Sequence, residues 1–91
     1  MVQRRARAYH RGVAEIVYLS AEQSPPERDV WLLLDEDQDG LFTTRSQHIT
    51  GSVMRHDHPG GKWPLKEAIE KAQVDAVEYR IPTIYVRRAD A

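Results

Sequence analysis

The stretch from Trp63 to Val86 constrains the fold more than any other part of this chain. Within it Leu65, Ala68, Ile69, Ala72, Ala76 and Tyr79 recur at three- and four-residue steps, so they share one side of an α-helix. Half of these positions are alanine, and small side chains let a helix axis lie close to whatever it covers. Pro64 suits the first helical position, where its missing N–H would have found no partner. Glu67 and Lys71 stand in the favourable i to i+4 order on the outer face. Ile81 precedes Pro82, which disfavours the α region and stops the helix near Arg80, giving a span of about 64–80. No glycine stands at its C-terminal end, where one is usual. The next segment, Thr83 to Arg87, alternates polar and apolar residues with β-branched members, the pattern of a half-buried strand.

The other strands must supply the surface this helix covers. Val13 to Ser20 is rich in β-branched and aromatic residues and reads as a first strand. Ser24-Pro25-Pro26-Glu27 rules out regular pairing, so residues 21–29 form a loop. Asp29 to Asp35 encloses the continuous apolar run Val30–Leu34, which predicts a central strand. Asp39-Gly40 is a hairpin dipeptide, and Leu41 to Arg45 is the returning strand. From Ser46 to Asp57 the pattern is less regular. Gly51 predicts a bulge or bend within one long strand, or else the start of a second hairpin arm. His58-Pro59-Gly60-Gly61 is a turn into the helix.

This order, β-β-β-α-β with a fourth early strand as an option, predicts an α+β fold. The expected architecture is a two-layer sandwich: a three- to five-stranded, mainly antiparallel sheet with one helix on one face. At 91 residues the chain makes a single domain over 13–91, preceded by a flexible arm over 1–12. With 30% charged residues and a longest apolar run too short for a bilayer, a soluble protein without membrane contact is expected. No sustained apolar segment follows the basic start, so no signal peptide is read. The absence of cysteine removes disulfides, thiolate nucleophiles and cysteine-based zinc sites, and it fits a reducing, cytoplasmic compartment.

The net charge of −1 hides an asymmetry. Residues 1–12 carry Arg4, Arg5, Arg7 and Arg11 without an acid, for +4, and the remainder sums to −5. With Tyr9 between them, these arginines combine phosphate-neutralising charge with a stacking ring, which makes nucleic acid an alternative partner. Against it, no RNP, KH or helix-turn-helix signature appears, and the helix carries glutamates on its outer face.

Asp35-Glu36-Asp37-Gln38-Asp39-Gly40 resembles the opening of an EF-hand calcium loop, with hard oxygen ligands at alternate positions and a glycine for the sharp turn. The resemblance implies Asp35, Asp37 and Asp39 as ligands. It stops at Gly40, because Ser46 stands where the bidentate glutamate belongs, and a strand rather than a helix precedes Asp35. A solvated hairpin tip has the same composition. His56 and His58 project to one side of an extended strand and form a second candidate metal pair, with a third ligand missing from the local sequence. Histidines beside a Pro-Gly-Gly turn are also ordinary surface residues. Gly60-Gly61-Lys62 before the helix offers an anion a backbone approach and a cation, but the P-loop spacing is not met. The order of three strands, a helix and a strand is similar to the core of restriction-endonuclease-like nucleases, which implies an acid at one strand end and a (D/E)-x-K on the next. Phe42-Thr43-Thr44-Arg45 lacks that pair, so an active nuclease of this type is rejected.

No catalytic set and no cofactor motif emerges. One helix covers only one sheet face, and Tyr18, Trp31 and Tyr85 are the aromatic residues available to the other. The expectation is therefore a non-enzymatic interaction or regulatory module that binds a protein partner, or its own copy as a homodimer, through an exposed sheet face or edge.

Overall fold

The computed structural model describes residues 14–89. The basic arm expected over 1–12 lies outside the described residues. The elements run β1 (Glu15–Leu19), β2 (Trp31–Glu36), β3 (Phe42–Thr50), β4 (Val53–Asp57), α1 (Leu65–Tyr79) and β5 (Thr83–Arg87). The strands form one sheet in the order β1-β5-β2-β3-β4. The fold is α+β.

Two sequence expectations are corrected. Four strands precede the helix, the optional fourth strand included, where the leading order had three: β3 continues to Thr50, and the chain then turns at Gly51 into β4. Of the two readings of Gly51 the second hairpin arm is the one realised, and the bulge is not; its φ of +66° is a backbone region open to glycine. The sheet is also mixed rather than mainly antiparallel. β2–β3 and β3–β4 are antiparallel, whereas β5 enters between β1 and β2 and runs parallel to both. The cause is the crossover. α1 carries the chain back over one face from β4, so β5 starts at the same end as β2 and can join it only in parallel.

The core lies under α1. Ala68, Ala72 and Ala76 are buried against Leu32, Leu34, Phe42, Ile84 and Val86, with Ile16, Leu65 and Ile69 closing the margins. The three alanines recur every fourth residue, so a narrow methyl stripe is all that separates the helix backbone from the sheet. Each large aliphatic or aromatic side chain buried here contributes about 1.5–3 kcal/mol relative to exposure. The helix ends without glycine: Arg80 itself adopts the left-handed conformation, φ 57°, ψ 44°. The N–H of Arg80 donates to Val77 O and that of Ile81 to Ala76 O at 2.8 Å. Buried Ile81 supplies the apolar contact that accompanies this Schellman pattern. Midway along the helix Gln73 holds the start of β1, accepting from Ala14 N at 3.0 Å and donating to Ala14 O at 3.3 Å.

Candidate interaction surface

The face away from the helix is not left bare. Residues 20–30 must travel from the end of β1 to the start of β2, which are parallel, and they do so as a strap across this second face. Three side chains fasten it. The Trp31 indole N–H donates to Pro26 O at 2.8 Å. The Gln47 amide donates to Glu27 O at 2.6 Å and to Asp29 O at 2.8 Å. Arg87 donates to Gln23 O at 2.8 Å and to Ser24 Oγ at 3.3 Å. Under the strap Trp31 is only 8% exposed, and Leu33 is buried. A shallow cleft of about 350 Å³ remains along the seam, lined by Trp31, Leu33, Arg45, Gln47 and Arg87 together with Ser24, Pro25 and Glu27 of the strap.

The three aromatic residues read from the sequence do not form one surface. Trp31 and Tyr85 lie on the strap face, on either side of Leu33, since Leu33 pairs with Tyr85 in register. Tyr18 pairs with Val86, whose side chain is in the helix-side core, so it projects from the opposite face and is 62% exposed.

The acidic loop is closed by cations of the chain itself. Asp35 receives two bonds from Arg87, at 3.0 and 2.9 Å. This pairing holds the Arg87 guanidinium above its ordinary range. Asp37 caps its own turn, accepting from Asp39 N at 2.9 Å and Leu41 N at 3.1 Å, while its other oxygen meets Lys62 Nζ at 2.8 Å. The lysine lowers the Asp37 pKa, and the carboxylate in turn raises that of Lys62. Asp39 stays at the exposed tip. The geometry is that of a hairpin turn in which two of the three aspartates, Asp35 and Asp37, are already paired with cations of the chain.

The histidines are also separated. His48 is buried on the helix side and stacks on Tyr79 with ring centroids 4.7 Å apart. His56 pairs with Gln47 and so belongs to the strap face, followed by exposed His58. Among the described residues no three acidic or imidazole side chains are grouped to hold a metal ion. Gly60-Gly61-Lys62 likewise serves the turn. Gly61 has φ +108°, and a Cβ there would come within 2.7 Å of the Trp63 ring. Trp63 exchanges backbone hydrogen bonds of 2.8 and 3.1 Å with Phe42, which ties the helix entrance to β3.

β1 and β4 are the two terminal strands of the sheet, and β4 is the more exposed of them. β4 is the last strand, four of its five residues are exposed, and no described residue pairs with its outer edge. Ile49 and Val53, beside the β3–β4 turn, are 55% and 54% exposed. Arg55 and Asp57 project on the helix side, as their register partners His48 and Ser46 do, and Arg55 makes no ion pair among the described residues. Sequence reasoning missed this edge and the Gln47 fastening. The signal for the edge was a strand carrying Arg-His-Asp instead of an apolar alternation, which only an outermost strand tolerates. Gln47 carried no signal, because its partners lie in a loop far away in sequence.

The chain matches no known protein family, and neither a curated protein nor a solved structure resembles it to a significant degree. No helix among the described residues is long and apolar enough to cross a membrane.

Proposed function

We propose that this chain is a non-enzymatic interaction module that engages a protein through the outer edge of β4. The observation that carries the reading is the contrast between the two sides of the sheet. The strap covers β2 and β5 on the face away from the helix, while β4 keeps a backbone edge that no described residue pairs with, beside two half-exposed aliphatic side chains. An added strand would satisfy that edge with main-chain hydrogen bonds and place alternate side chains on the two faces. Arg87 and Arg88 are engaged by Asp35 and Glu36. The nucleic-acid alternative is carried by the charge of Arg4, Arg5, Arg7 and Arg11 in the sequence.

A photo-crosslinking amino acid placed at Val53 tests the reading, with Lys66 on the outer helix surface as the control position. Adducts to a protein, or to a second copy, that form from position 53 and not from position 66 support it. Equal labelling from the two positions, or none from 53, contradicts it.

A further inference from the structure

We propose that β4 pairs antiparallel with β4 of a second copy of this chain, in the register that sets Arg55 of each copy against Asp57 of the other. The inference rests on the edge reading above and names its partner. Two copies related by a two-fold axis perpendicular to the sheet present opposed residues of the same parity, with both helices on one side. Few such registers exist along so short a strand. Centring the axis on Arg55 opposes two guanidinium groups, and centring it on Asp57 opposes two carboxylates. Centring it on His56 opposes Arg55 to Asp57 twice, and sets Met54 against His58 on the other face. The segment Arg55-His56-Asp57 is thus complementary in charge to its own reverse, a property that a strand built for an unrelated partner does not need. Pro59, which lacks an N–H, lies just past the paired segment and limits its length.

The charges on the helix side point the same way. Asp57 projects on the helix side, and the carboxyl of Asp75 on α1 is held above its ordinary range by burial, then by Glu78 and by Asp57, with Lys71 only partly opposing them. Within one chain this cluster is short of positive charge, while Arg55 is exposed and without an ion pair among the described residues. In the paired arrangement the second copy brings its Arg55 to that cluster. Charged residues on an edge strand ordinarily discourage indiscriminate pairing. Here they also select one register over the others. A five-residue edge makes a small interface, so the dimer is weak and reversible.

Analytical ultracentrifugation of the full chain tests the pairing. The wild type is expected to be monomeric when dilute and to dimerise at high micromolar concentration. Arg55→Asp and Asp57→Arg each turn two attractive cross-strand contacts into repulsive ones, and each is expected to weaken dimerisation by roughly 30-fold. Mixing the two variants opposes Asp to Arg at both contacts and restores a dimer of mixed composition. So does placing both substitutions in one chain, which reverses the charge order and keeps it self-complementary. Circular dichroism checks that each exposed substitution leaves the fold intact, and the double variant keeps the test decisive if one single variant does not fold. A wild type that stays monomeric overturns the proposal. So does a dimer indifferent to both substitutions, or a mixture that fails to reassociate. If the wild type is monomeric but position 53 still crosslinks to another protein, self-pairing falls and the edge reading stands. If neither occurs, both fall.

Discussion

Replacing Gln47 should release the strap that closes the second face. Its amide makes two hydrogen bonds, 2.6 and 2.8 Å, to carbonyls in a loop that has no regular pairing of its own. Each such bond contributes about 1 kcal/mol net, and a lost buried methylene adds about 0.8 kcal/mol. The carbonyls of Glu27 and Asp29 belong to exposed residues and regain water, so no full desolvation penalty is added. Gln47→Ala is therefore expected to cost about 2–3 kcal/mol. For a domain of this size that is a fall in Tm of roughly 10–20 °C. Gln47→Glu is the sharper probe: it keeps the shape but turns a carboxylate toward two carbonyl oxygens, so at neutral pH it should cost at least as much. Urea denaturation gives the free energies. Fluorotryptophan labelling, read by fluorine NMR, reports the strap itself, because the Trp31 resonance should move while that of Trp63 does not. A Gln47→Glu protein as stable as the wild type, with an unmoved Trp31 signal, would refute the reasoning.

Three further outcomes follow from the same geometry. Arg80→Gly should stabilise the fold by about 0.5–1 kcal/mol in urea denaturation, because a non-glycine residue holds the left-handed position after α1. Asp75→Asn should be more stable than the wild type at neutral pH. The native Asp75 pKa is raised, so this acid disfavours the fold while ionised, and the advantage of the variant should vanish as pH falls through that raised value and below. The β4–β4 register places His56 of both copies side by side, with opposed Cβ atoms about 5 Å apart. Zinc should therefore tighten the dimer by roughly tenfold, and His56→Ala should abolish that gain without abolishing the dimer. Sedimentation with and without zinc checks it.

Much of the fold was legible because its signals are local. The stripe from Leu65 to Tyr79 and the Ile81-Pro82 stop place α1 within a residue at each end, and the run Val30–Leu34 marks β2. Asp39-Gly40 marks the first hairpin, where Gly40 sits at φ +79°. Strand pairing was not legible. Thr83 to Arg87 has the alternation of a half-buried strand, yet β5 is central, and Thr83 on its second face is buried. What covers that face is a proline-bearing loop, whose closure depends on Gln47 and Arg87, each distant from it in sequence. The acidic loop shows the converse. Asp35, Asp37 and Asp39 suggested a cation from their spacing, but Arg87 and Lys62 reach the first two from elsewhere in the chain. The edge motif Arg55-His56-Asp57 acquires meaning only once β4 is known to be outermost.

Hydrogen exchange along β4, followed by NMR over a range of protein concentrations, addresses the open edge most directly. In dilute solution the β4 amides that point away from β3 should exchange nearly as fast as an unstructured chain, while those bonded to β3 are protected. At high concentration the outward amides should become protected as well, with β2 and β5 unchanged. Outward amides already protected in dilute solution, or unprotected at every concentration, would contradict the account.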